Sequence, residues 1–190
     1  MPVIAASQIS GDEQITDKQL KAALQQWLPA PRRVDRLILQ SLLAVALIQQ
    51  PIRAECGLYV ASTFPARTTM ASLLNAVCAD QRQPKPFEFV NSVSNAAGFH
   101  IAQQLKLNGP NLFISAGNQV WQQLNMLAAC DFAAGSIQQA LLLCCHEDEL
   151  GFCAQAVLLA GDAPALTPQS DFASLSAAVE VNNYRLNPAD

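Results

Sequence analysis

The residues whose types and spacing suggest chemistry cluster in one place. Leu112-Phe113-Ile114 is a short apolar run, followed by Ser115-Ala116-Gly117-Asn118 and then Val120, Trp121, Leu124, Met126 and Leu127 at helical spacing. A strand, a tight turn of small residues and a helix form a nucleophile-elbow geometry. A side chain at the tip of such a turn meets the amino end of the helix, where free N–H groups favour a thiolate or an oxyanion. The same pattern is also that of an ordinary βα turn whose small residues permit close packing. Ser115 beside Gly117 does not complete a GxSxG motif, and no His/Asp partners stand out for it.

Other reactive residue types offer less. His100 sits between Phe99 and Ile101 in a helical pattern, which predicts a partly buried structural histidine. His146 lies in the acidic turn His146-Glu147-Asp148-Glu149. A metal site of His146, Glu147 and Glu149 is conceivable but rests on one turn, and no metal is assigned. The cysteines are Cys56, Cys78, Cys130, Cys144, Cys145 and Cys153, with no CxxC pair and no Cys/His ligand spacing. All stand among apolar residues, and the expectation is six buried, reduced thiols acting as small hydrophobes. Cys144 and Cys145 are neighbours on a strand and therefore face opposite sides.

The elements that must position this corner read as follows. Asn91 and Ser92 suit a helix start. Ala96, Ala97, Phe99, Ile101, Ala102, Leu105 and Leu107 then keep helical spacing to Leu107. Asn108-Gly109-Pro110-Asn111 ends that helix. Asn91-Ser92-Val93-Ser94-Asn95-Ala96-Ala97-Gly98, the helix and Gly109-Pro110-Asn111 together resemble the β-ketoacyl-acyl-carrier-protein synthases of the thiolase superfamily. In that family the Gly-Pro leads through a strand to the reactive cysteine. Counted along from Gly109, the cysteine position falls on Asn118, or on Gln119 with one gap. Gly117, Asn118 and Gln119 would then be a degenerate elbow. The nearer likeness is to short, cysteine-less, chain-length-factor-like relatives. It covers most of the chain and is most specific from Asn91 to about Gln119.

The resemblance implies an α/β chain with half of a thiolase-like fold: a five-stranded mixed sheet with helices on both faces. Ketosynthases divide the nucleophile and the paired imidazole or amide groups between two halves, and this length matches the first half. An amide forms no thioester, so the implied role is a subunit without condensing activity. The implied partners are a ketosynthase subunit, an acyl carrier protein, or both. The family dimerises through the strand before the elbow, here Leu112, Phe113, Ile114 and Ser115, giving a homo- or heterodimer. No cofactor is implied. A small independent acyl-thioester hydrolase or acyltransferase is the alternative, and a module binding neither acyl chain nor carrier is a third reading.

Composition is compatible with this. The 190 residues are 51% hydrophobic and 14% charged, apolar enough to suggest a partner or a pocket. One domain is expected across 1–190, with 161–190 a loosely packed tail. Residues 1–106 hold ten of the eleven Lys and Arg against seven acids, and 107–190 hold Arg185 against eight acids. That acidic balance excludes a nucleic-acid-binding domain. Arg32, Arg33 and Arg36 open a predicted helix over 32–50 and form either a solvated first turn or a carrier-protein patch. No run is long enough for a membrane span, since Gln40 and Ser41 interrupt Leu37–Ile48. The first ten residues lack the basic region of a secretory signal, and the expected location is the cytoplasm.

The remaining elements follow from pattern. Strands are expected at Pro2–Ala6, Gly57–Ser62, within Ile137–Cys145 and at Phe152–Ala160. Helices are expected from Thr16 or Asp17 to about Leu28, and from Thr68 or Thr69 to about Ala79. No internal repeat, P-loop or complete dinucleotide fingerprint is present.

Overall fold

The computed structural model describes residues 2–115, 117–161 and 171–188. Its centre is a mixed sheet of six strands: β1 (Val3–Asp12), β2 (Gly57–Ser62), β3 (Asn111–Ser115), β4 (Gln139–Glu147), β5 (Gly151–Ala160) and β6 (Val181–Arg185). Their order across the sheet is β3-β2-β4-β5-β1-β6. β2 is parallel to both β3 and β4. β5 is antiparallel to β4 and β1, and β6 is parallel to β1. All six residues of β2 are buried, as a parallel strand covered on both faces requires.

Helices α1 (Asp17–Leu24), α2 (Arg36–Ala46) and α5 (Ala96–Leu105) pack on one face. The longest helix, α6 (Val120–Ala133), and the short α7 (Phe172–Ser176) cover the other. Thr16 opens α1 with a full capping box shared with Gln19. Asp35 caps α2 by accepting from the Leu37 amide at 2.8 Å. α2 is buried almost all round from Arg36 to Val45, as its continuous apolar sequence demands. Between β2 and α5 the chain makes an excursion through α3 (Arg67–Leu74), a π-helical turn (Asn75–Ala79) and α4 (Pro86–Asn91).

Several elements differ from the sequence expectation. The sheet has six strands rather than five, because residues 181–185 of the expected tail pair with β1. Val-Asn-Asn-Tyr-Arg has no apolar run, and an edge strand packed on one side needs none. β1 continues to Asp12 through Ser7, whose hydroxyl is buried and donates to the Ala44 carbonyl at 2.6 Å. The first helix stops at Leu24, leaving Trp27 47% exposed. The second begins at Arg36 rather than Arg32, because the cap is Asp35.

The helix expected from Asn91 is divided. Asn91 closes α4, and α5 begins at Ala96. α5 ends at Lys106, which takes the left-handed conformation (φ 56°) in place of Gly109. Gly109 serves closeness instead: a Cβ there would lie 2.5 Å from the Cys56 carbonyl oxygen. Gly98 likewise lets α5 lie against Asn111 at the start of β3, since a Cβ would meet its Oδ1 at 2.6 Å.

Candidate functional site: the strand-to-helix corner

The Ser115–Gln119 stretch lies at a strand-to-helix corner. β3 ends at Ser115 and α6 begins at Val120, with Gly117, Asn118 and Gln119 exposed between them. The Val120 amide donates to the Gly117 carbonyl at 3.2 Å and the Gln123 amide to the Gln119 carbonyl at 3.0 Å, which turns the chain into the helix. Gln119 occupies the N-cap position, and no side chain caps α6. Open space surrounds Gly117, where an added Cβ would meet no atom within 4 Å. The corner therefore presents two carboxamides at a helix amino end, where a nucleophile would be well placed.

α6 is fixed from behind. Trp121, Leu124, Asn125, Ala128 and Phe132 are buried against β2 and β4. Tyr59 of β2 reaches across and donates its hydroxyl to Asp131 at 2.5 Å. Burial, then the hydrogen bond to Asp131, raise the Tyr59 phenol pKa far above its ordinary value.

None of the six cysteines stands at positions 117–119. Cys130 is exposed, but it lies ten residues along α6 from Val120, about 15 Å at the helical rise. Cys78 is exposed as well, which corrects the expectation that all six thiols are buried. Val77 and Ala79 flank Cys78, and Ala128 and Ala129 precede Cys130, yet both helical segments turn these two positions outward. Burial pushes Cys56 and Cys144 up to about 12. Cys145 is raised further, its sulfur 3.2 Å from the Ser41 hydroxyl. Such thiols are poor nucleophiles at neutral pH.

The three arginines of the predicted patch separate. Arg32 and Arg33 are exposed ahead of α2. Arg36 is turned inward and is only 9% exposed. It contacts Asp17 at 3.4 Å, places Nε 3.0 Å from Glu147 and lies over the Phe152 ring. Burial raises the Glu147 pKa despite Arg36 beside it. The Nε–Glu147 contact is close but misaligned, since Arg36 Nε makes no hydrogen bond. Arg33 takes a left-handed φ of 56° and sits over the Phe87 ring.

A cleft of about 620 Å³ lies beside Arg33, between Asp17, Asp35 and Arg36 on the body and Thr68, Thr69 and Phe87 on the excursion. It sits at the end of the sheet where β2 leads into the excursion. Functional groups collect in loops at the carboxyl ends of parallel strands. Here the amide of Thr69 donates to the buried Asp35 carboxylate at 3.2 Å and its hydroxyl at 2.5 Å. Asp35 thus holds the starts of both α2 and α3. The sequence signal for this was Asp35 immediately before an apolar helical run. Its second partner was not legible.

His100 is half-buried in α5, packed edge-on against Phe99, and burial lowers its pKa. His146 is exposed at the end of β4, 3.3 Å from Asp148. Among the described residues, no group of three His, Cys, Asp or Glu is arranged to hold a metal ion. No helix among them is long and apolar enough to cross a membrane.

No family model matches the chain, and no curated protein matches it. Solved structures do. The ishigamide ketosynthase/chain length factor superposes with a TM-score of 0.62 at 16% identity, over 74% of this chain and 48% of that one. A ketosynthase in complex with its chain length factor from Xenorhabdus doucetiae gives 0.57 at 14% identity, over 85% of this chain and 79% of that one. The chain spans about half the length of the first structure and about four-fifths of the second. It has the thiolase-like fold of the ketosynthases and chain length factors.

Proposed function

We propose that this chain is a non-catalytic, chain-length-factor-like partner of a ketosynthase in carrier-protein-dependent synthesis of a fatty acid, polyketide or aryl polyene. The observation that carries the reading is the corner itself. It has the strand, turn and helix of a condensing enzyme's elbow, with Asn118 and Gln119 at its tip. A carboxamide can hydrogen-bond an acyl or pantetheine group but cannot form a thioester. Asn118 and Gln119 line the remnant pocket in this reading.

β3 supplies the contact with the partner. Among the described residues it pairs with β2 alone, so its outer edge carries free backbone groups, and Leu112 is 42% exposed. Such an edge is normally paired or covered. Arg32 and Arg33 offer a carrier protein two exposed cations. Arg36, committed to Glu147 and Asp17, is not part of that surface.

Co-expression with a full-length ketosynthase and an acyl carrier protein, followed by size-exclusion chromatography with light scattering, tests the proposal. The expected result is a dimer or a co-purifying ketosynthase. A clean monomer that retains no ketosynthase overturns it. So does acyl-thioester turnover by the chain alone that is lost in Ser115→Ala or Cys130→Ala, which would establish an independent hydrolase.

A further inference from the structure

We infer that residues 67–95 form a flap that opens as a unit from the body of the protein and gates the 620 Å³ cleft beneath it. Among the described residues, Ala76 is the only buried one between Arg67 and Asn95. Met70, Leu74 and Val77 follow one another at helical spacing along α3 and its π turn, and all three are exposed. Phe89, Val90 and Val93 in and after α4 are exposed too. Very little apolar surface therefore holds this segment down. Regions with few buried apolar contacts open at a lower free energy than the core.

What attaches it is polar and countable. Thr69 donates through its amide and hydroxyl to Asp35, and the Asn91 carboxamide donates to the Arg33 carbonyl at 2.8 Å. Arg33 lies over the Phe87 ring at 5.5 Å, and Arg67 comes within 3.9 Å of Glu149 at the surface. The segment is joined within itself at least as firmly. Arg82 gives Glu88 two hydrogen bonds at 2.9 and 3.0 Å, and Glu88 also accepts from the Lys85 amide. The hinge at its start is Ala66, held in the left-handed region (φ 53°) as the N-cap of a helix that no side chain caps. A non-glycine residue there stores strain that a movement can release.

The cleft is lined from both sides. Asp17, Arg33, Asp35 and Arg36 belong to the body, whereas Thr68, Ser72 and Phe87 belong to the flap. Opening therefore widens the cleft and frees Arg33 from Phe87. The inference concerns the isolated chain and stands or falls independently of any partner.

Hydrogen exchange with mass-spectrometric detection on the full chain tests it. Amides of 67–95 are expected to exchange as a block, well before those of β4 and β5. Thr69→Val, which leaves Asp35 to cap α2, is expected to speed that block about ten- to a hundredfold, as loss of a hydrogen bond to a charged group implies. Exchange in β4 and β5 should stay unchanged. Asn91→Ala, which releases the other attachment, should act on the same block. The flap is overturned if 67–95 exchanges together with β4 and β5, or if both variants leave the block unaltered or accelerate the whole chain equally.

Discussion

Tyr59 of the central strand β2 donates its hydroxyl to Asp131 of α6 at 2.5 Å, and the tyrosine ring is fully buried. This bond locks the helix that forms the corner onto the sheet. Tyr59→Phe keeps the ring and removes the donor, leaving a partly buried carboxylate without its partner. The variant should lose about 1–3 kcal/mol of stability. In a chain of this length each kcal/mol lowers Tm by about 2–4 °C. Thermal unfolding followed by circular dichroism measures it. An unchanged Tm would show that the bond does not fasten α6.

Alkaline pH should weaken the fold. Cys56, Cys144, Cys145, Cys153 and Tyr59 all have pKa values raised by burial in the folded protein. In the unfolded chain thiols ionise near pH 8.5 and tyrosine near 10. Above those values the folded state holds protons that the unfolded state has released, so stability falls as pH rises. Urea midpoints should be flat from pH 7 to about 8.5 and decline steadily towards pH 12. Tyr59→Phe should decline less steeply above about pH 10.

Thiol labelling sorts the cysteines. Cys78 and Cys130 are exposed, whereas Cys56 and Cys145 are fully buried. A thiol-specific chromogenic disulfide should modify the two exposed residues quickly in native protein. Cys56 and Cys145 should wait for unfolding, because a thiolate must form and be reached. Cys78→Ser with Cys130→Ser should remove the fast phase entirely.

Arg36 and Arg32 should separate structure from surface. Arg36→Ala strands Glu147, whose side chain is 15% exposed, and should cost about 3–5 kcal/mol in urea titrations. Arg32→Ala should change stability by no more than about 0.5 kcal/mol. If the carrier protein uses this surface, Arg32→Ala with Arg33→Ala should weaken its binding in calorimetry at low salt.

Leu112→Lys places a charge on the outer strand of the sheet. Edge lysines oppose strand pairing. The variant should keep its Tm but lose association with a ketosynthase or with itself on size exclusion. Retained association would move the interface away from β3.

Much of this architecture was legible because burial and residue type agreed. Gly57–Ser62, Phe152–Ala160 and the apolar residues of 120–133 are covered on one or both faces, so their hydrophobic runs mark them. The corner was found because small residues between an apolar strand and an amphipathic helix leave few other geometries. Ser7 and Asn182 were illegible as strand residues, since their side-chain partners are backbone groups far along the chain: Ser7 reaches Ala44, and Asn182 reaches Leu47. Arg36 read as surface because its charge is satisfied by Glu147, which lies more than a hundred positions away in sequence. Polar pairings of that range carry no periodic signature.

The order β3-β2-β4-β5-β1-β6 also dictates how the chain comes together. Among the described residues, the hairpin of β4 and β5 is the one strand pairing that closes over a few residues. β1 precedes the other described strands in sequence yet pairs with β5 and β6, so its pairing waits until residues 151–185 have been made. Distant closures of this kind slow folding. Until β5 emerges, Val3, Ile4, Ala5 and Ile9 have no antiparallel neighbour to join, and this apolar strand is where a chaperone would find its grip.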